Sequence, residues 1–287
     1  MKRILGLSIC AIMAISAASL FSQSRFASKG DIPAWLSKQQ SSSDRKYFLM
    51  NGNQIVGTIY NYGGIAPGIG LLRHVNTMVW HGLGDLYQFG PLVAASVRDT
   101  FGNVVQISSD NVNDIYARDL NPNNNTLAYG WEPLPEYTDP TSSVMASSGA
   151  LDLSPRDGKP DSWPSNWYNP QKGQYVWPGY LRQDVPNADL EVLWGMDDRG
   201  NNEFAYYPFG NDPANAGLRG LGIKVEGRAL QWSNALAQNT IFFIYTAQNF
   251  SPRDLDTVFF GMYGDVDVGG GSPIDGNESK DDLGYFI

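Results

Sequence analysis

Apolar and polar positions alternate with a period of two along much of the chain, in short runs closed by Gly, Asn, Asp or Pro. That is the pattern of half-buried strands joined by turns. Residues 54–64 (QIVGTIYNYGG) predict a strand running into a glycine turn. Residues 74–108 predict consecutive strands punctuated by Gly82, Gly84, Gly90 and Pro91, with Phe101, Gly102 and Asn103 forming a hairpin turn between strands at 92–97 and 104–107. Residues 188–209 predict strand, acidic turn, strand. Residues 220–233 alternate well, and residues 239–250 and 256–268 are aromatic and β-branched runs flanking a turn at 251–256. Nothing in the pattern predicts a long amphipathic helix; ALAQ at 235–238 predicts one short turn.

Residues 110–183 break this regularity. They contain NPNNN, PLPEYTDP, SPRDGKPDSWPSNW and WPGY, a long irregular stretch for a compact domain. Their wealth of Trp and Tyr predicts a segment that packs down or binds something. GGIAPGIG at 63–70 lacks the G-x-G-x-x-G spacing and a following Lys-Ser/Thr pair, so it predicts a turn needing positive φ rather than a phosphate loop. No repeat of about 40–50 residues supports a propeller. The expected fold is mainly β, an antiparallel β-sandwich with long irregular loops. The expected organisation is a signal peptide at 1–22, a flexible tether at 23–46, a first β region at 47–134, an irregular Trp/Pro-rich segment at 135–185, and a second β region at 186–287 packed with the first.

The N-terminus changes the picture. Lys2 and Arg3 precede an uncharged apolar run at 4–21, followed by polar Ser22, Gln23 and Ser24. This is the plan of a signal peptide. The run is also long enough for an uncleaved anchor; small residues between Ala17 and Ser22 favour cleavage. Cys10, the only cysteine, lies inside the run, so the mature chain has no disulfide. The roughly 260 residues that remain are enough to bury a large core without staples. The expected location is secreted or on the outer cell surface, with no membrane span after cleavage. The apolar ending LGYFI predicts either an edge strand or, preferred, a polypeptide that continues past Ile287. Net charge is -9 and the pI about 4.6, which argues against a nucleic-acid partner.

The densest oxygen chemistry lies near the C-terminus, where Asp265, Asp267, Asp275, Asn277, Glu278, Asp281 and Asp282 share a glycine-rich stretch. Carboxylates and carbonyls on a pliant loop suit Ca2+, although the EF-hand spacing is absent. The plain alternative is a solvated loop. Asp197, Asp198, Asn201 and Glu203, with Asn202, form a second candidate cation loop or an ordinary Asp/Asn/Gly turn. Asp152, Asp157 and Asp161 form a third. Asp197, Asp198 and Glu203 are also the carboxylates to test for glycosidase chemistry. His74 and His81 lack a third zinc ligand, and no Ser stands in a strand–turn–helix nucleophile setting.

Aromatics are plentiful: Trp131, Tyr168, Trp194 and Trp232, and, as candidate ligand contacts, Trp163, Trp167, Trp177 and Tyr180. Their faces either stack on a glycan or cover the core beneath a long loop.

The phrases GGIAPGIGLLRHVNTMVWHGLGDLYQFGPLVAA, GWEPLP, DGKPDSWPSNW, WPGY, MDDRGNNEF, RALQWSNALAQNTIFFIYTAQN and VFFGMYGDVDVGG resemble the N-terminal part of large uncharacterised exported proteins of Bacteroidota, Ignavibacteria and Calditrichota-type bacteria. The resemblance runs from about residue 61 to 287. It implies export and a chain that continues, often ending in fibronectin-like modules or a type IX sorting signal; no such signal is visible in these residues. It carries over no catalytic residue. The expected function is a non-catalytic secreted or cell-surface module for structure, adhesion or glycan contact, with a glycan or cell-surface protein as partner. The alternative is a polysaccharide-degrading or other secreted hydrolase.

Overall fold

A computed structural model of the chain describes residues 42–66, 78–81, 83–86, 88–110, 129–149, 158–210 and 215–265. The signal segment, the tether up to residue 41 and the acidic stretch after Asp265 lie outside these residues. The fold is mainly β and antiparallel. Strands β1 (Tyr47–Met50), β2 (Ile55–Tyr60), β3 (Met78–Trp80) and β4 (Leu83–Leu86) form a meander. Strands β5 (Gln88–Arg98) and β6 (Val104–Ser109) form a hairpin, and β13 (Val258–Asp265) pairs with the other side of β5. Ile65 bridges to both Ile59 and Phe89 and so links the meander to this second group. A further sheet has the order β12 (Phe242–Asn249), β11 (Ile223–Gln231), β10 (Leu190–Asp197), β7 (Glu132–Pro133). Short β8 (Tyr168–Asn169) and β9 (Gln174–Tyr175) pair alone. No sheet among the described residues closes on itself.

The hairpin predicted at 101–103 is present. Asp99 Oδ1 accepts the N–H groups of Phe101 (2.9 Å) and Asn103 (2.8 Å), and Gly102 takes φ +85°. The β5 alternation also holds: Val93, Ala95 and Val97 point into the core while Ala94 and Ser96 are half-buried. The predicted strand in 201–209 does not form. Arg219 donates to the carbonyls of Phe204 and Tyr206, and Asn201 N–H turns back to the Asp198 carbonyl, so this backbone is held as a loop. The partner of β10 is instead β11, in register from Leu190↔Gln231 to Asp197↔Lys224.

One core lies between the two layers. It joins Met50, Ile59, Val93, Ala95 and Ile107 on one side to Val192, Trp194, Met196, Val225 and Ala229 on the other. Segment 144–148 ties the layers: Met145 N–H donates to the Tyr47 carbonyl, and Ser148 N–H to that of Glu191. Gln231, fully buried, donates to Asn53 Oδ1 and the Ile55 carbonyl, and its own carbonyl receives Gly52 N–H.

Trp194 sits opposite Gly227 in the ladder. A Cβ on Gly227 would lie 2.2 Å from Trp194 Cε2, so the indole lies flat against a bare backbone. Gly227→Ala should lower unfolding free energy by about 1–3 kcal/mol, the usual cost of overpacking. Gly261→Ala in β13, where a Cβ meets nothing within 4 Å, should change it by less than about 0.5 kcal/mol. Urea titrations of both variants check the contrast.

Candidate functional site

All eight residues of β10 are buried, and in β11 only Glu226 is not. Alternation places Val192, Trp194, Met196, Val225 and Ala229 on the core side. The other side carries Glu191, Leu193, Gly195 and Asp197 opposite Leu230, Arg228, Glu226 and Lys224. A strand face with that many charges ordinarily meets water. Here the irregular segment covers it.

The cover is anchored by tryptophan. Trp163, Trp167 and Trp177 pack mutually at 5.4–5.7 Å between centroids, on Ala146 and Leu193. Trp163 Nε1 donates to the Ser147 carbonyl (2.7 Å), and Trp177 Nε1 to Glu191 Oε2 (2.6 Å). Glu191 Oε1 takes the N–H groups of Asn187 and Ala188. Arg228 donates to the Pro178 carbonyl (2.6 Å) and to Glu226 Oε1 (3.2 Å), with Tyr180 beside its guanidinium. Tyr137 lies over Gly195 and donates to Glu226 Oε2 at 3.1 Å. Burial, reinforced by the Glu226 charge, holds the Tyr137 hydroxyl well above the ordinary tyrosine range. Lys224 lies against the rings of Tyr137 and Phe250; burial lowers its pKa while Glu136, Glu226 and Asp197 oppose that shift.

Of the predicted aromatic contacts, Trp163 and Trp177 therefore face inward and fasten the cover to the sheet. Both indoles are buried, so neither turns its face to solvent. Tyr180 is exposed. Trp167, though buried, forms part of the wall of a cleft of about 190 Å3 on the outer side of the cover. The cleft runs between the β8–β9 hairpin and residues 183–184. Its polar lining is Asn166, Asn169, Gln171, Gln183 and Asp184, and Tyr168 lies beside Trp167 with nearly half its surface exposed. The hairpin is fixed by Asn169 Oδ1, which accepts the N–H groups of Gln171 and Lys172, and by the Tyr168–Tyr175 edge contact at 5.3 Å. Sequence reasoning noted Tyr168 but passed over the amides; the Asn169-Pro170 pair and Gly173 were the available sign of a hairpin there.

The acidic turn has a different occupation from the one predicted. Asp197 takes the Arg199 guanidinium at 2.9 Å. Asp198 accepts Leu221 N–H (2.7 Å), Ile223 N–H (3.1 Å) and the Ser109 hydroxyl (3.2 Å). Asn201 donates to the Ser108 carbonyl and to Ser109. These donors hold the carboxylate oxygens of Asp197 and Asp198, Asn201 Oδ1 is buried without a donor among the described residues, and Glu203 is exposed. Asp197 and Asp198 thus pin the loop that follows β10. Among the described residues no group of three His, Cys, Asp or Glu is placed to hold a metal. Of the C-terminal candidates only Asp265 is described, opposite Gln88 at the end of β13; Asp267, Asp275, Asn277, Glu278, Asp281 and Asp282 lie outside, as do Asp152, Asp157 and His74. Asp161 is exposed, and His81 adopts φ +50° beside Trp80. Among the described residues no helix is long and apolar enough to cross a membrane.

Comparison with known proteins returns no match to any family model, curated protein or solved structure.

Burial pushes the Asp198 carboxyl up to about 7, against its backbone donors and with help from the neighbouring Asp197 charge. A carboxyl with a folded pKa above its unfolded value near 4 binds more protons when folded, so its stabilising contribution is complete below about pH 4 and is lost as the pH rises to about 7. Asp198→Asn should remove that slope between pH 4 and 7. It should also lower stability by about 1–3 kcal/mol, because an amide cannot accept all three bonds. Thermal melts of both proteins across this range test the pair of effects. Trp177→Phe keeps the ring and strips a donor from buried Glu191; a loss of about 1–3 kcal/mol in chemical unfolding is expected.

Proposed function

We propose that the chain is a non-catalytic exported module that contacts glycan through the cleft between the β8–β9 hairpin and residues 183–184. The observation that carries this reading is the lining. Asn166, Asn169, Gln171 and Gln183 bring amide groups, Asp184 brings a carboxylate, and half-exposed Tyr168 stands in the wall beside buried Trp167. Sugar rings need that mixture: hydroxyls both donate and accept, and the ring's C–H face packs on an aromatic. The cleft is smaller than the roughly 300–1,000 Å3 of pockets that engulf drug-sized ligands, which suits one ring of a longer chain rather than an enclosed oligomer. The leader-like N-terminus supports export, and the anchored tryptophans support a wall formed in advance of the ligand.

A hydrolase is the rival, and one group favours it: Glu226 lies between the Tyr137 hydroxyl and Arg228 with a quarter of its side chain exposed. The test is a panel of soluble oligosaccharides, read by calorimetry for binding and by product analysis for turnover. Tyr168→Ala should weaken binding by about tenfold, the scale of one stacked ring, and by more than Tyr175→Ala, which breaks the same hairpin contact from outside the lining. Turnover by the intact chain that disappears in Glu226→Gln would replace the module with the hydrolase.

A further inference from the structure

The charge layout of the cleft narrows the class of sugar, on the footing that the cleft is a glycan site. Among the described residues that line it, none is lysine, arginine or histidine, and one, Asp184, is acidic. Asp184 takes φ +63°. The left-handed region is strained for a residue with a Cβ and persists only where the surroundings hold it. They do so here. The Asp184 side chain is 7 % exposed, Oδ2 receives Lys172 Nζ at 3.0 Å, and Asn169 Nδ2 lies 3.5 Å away. The opposing hairpin thus supplies both partners, and the carboxylate becomes a fixed part of the cleft wall. Lys172 is outside the lining, 49 % exposed, and its ammonium is on Asp184.

Two consequences follow for a sugar. A hydroxyl can donate to the carboxylate, and a hydrogen bond to a charged acceptor is stronger than one to a neutral acceptor. An anionic group on the sugar, carboxylate or sulfate, would instead meet Asp184 at short range. The lining offers it no cationic side chain and the Lys172 ammonium is already paired, so it gains little attraction in return for losing water. A cationic amino sugar gains little as well, since Lys172 already balances Asp184.

We infer that the cleft takes neutral sugar rings and turns away uronate and sulfated ones, with Asp184 as the specificity-determining residue and Lys172 as the residue that positions it.

Calorimetry of the full chain with neutral hexaoses of glucose, mannose and xylose, and with oligo-uronates and sulfated oligosaccharides of the same length, tests this. The best neutral ligand should bind at least about tenfold more tightly than any anionic one, the penalty expected for desolvating a charge that finds no partner. Asp184→Asn is the informative variant, because Asn also tolerates the left-handed conformation. It should lose about tenfold in affinity for the neutral ligand and narrow the neutral-to-anionic ratio. Lys172→Met leaves Asp184 uncompensated, so it should widen that ratio even if Asp184→Asn proves unstable. Anionic ligands binding the intact chain as tightly as neutral ones, or a ratio unmoved in both variants, would overturn the inference and leave the glycan reading standing. Failure of the intact chain to bind either class would overturn that reading, and the inference with it.

Discussion

Strands β10 and β11 are covered on both sides, and much of the described structure is arranged to meet one face or the other. The apolar face needs only a second sheet, which β1, β2, β5 and β6 provide through Met50, Ile59, Val93 and Ile107. The charged face is more demanding. Taking Glu191, Asp197, Lys224 and Arg228 out of water costs several kcal/mol per ion unless each finds partners of good geometry. Those partners come from segments far away in sequence or from tight local turns. Trp177 and two backbone N–H groups serve Glu191, Arg199 serves Asp197, and the Pro178 carbonyl with Glu226 serves Arg228. The path of residues 160–190 is thus set as much by where charges must be satisfied as by apolar burial.

That constraint passes outward to the cleft. Trp167 belongs at once to the tryptophan cluster against Leu193 and to the wall that faces solvent. Val176 N–H donates to the Trp167 carbonyl, which ties the second strand of the hairpin to the same residue. Beyond it, Arg228 holds Pro178, itself part of the lining. A wall fixed from beneath by a buried cation and three indoles loses little freedom when a ligand arrives. Low ordering cost is one of the few ways a shallow site gains affinity.

Strand existence was legible in the sequence wherever alternation ran for five or more residues, as in 223–231 and 258–265, and so was the Asp99–Asn103 turn. What alternation cannot say is whether the polar side meets water. KVEGR at 224–228 reads as a solvated face, because period two reports only that two faces differ; the covering segment lies some 50 residues away and has no period of its own. The same gap hid the roles of the aromatics. Trp163, Trp177 and Tyr180 look equivalent in a loop, and only the acceptors at Ser147 and Glu191 separate the anchors from the exposed ring. For 201–209, apolar density suggested a strand, yet Arg219 and Asn201 satisfied the backbone as a loop, and a strand needs a neighbouring ladder more than it needs hydrophobic residues.

The acidic turn shows why oxygen density alone is a poor guide to chemistry. Asp197 ends β10 on its charged side and closes on Arg199; Asp198, one residue on, reaches the other way, to the N–H groups that begin β11 and to Ser109 of β6. Adjacent carboxylates on extended backbone diverge, so a pair that looks like a ligand set in sequence joins two different parts of the fold. Its function there is to fix how β10, β11 and β6 meet. The surface proposed for recognition is of the opposite kind. The polar lining of the cleft is four uncharged amides and one carboxylate already balanced by Lys172, groups that in the proposed reading would exchange water for sugar hydroxyls at low cost. The charges under the cover are already paired within the fold, Glu191 with Trp177, Asp197 with Arg199 and Arg228 with the Pro178 carbonyl.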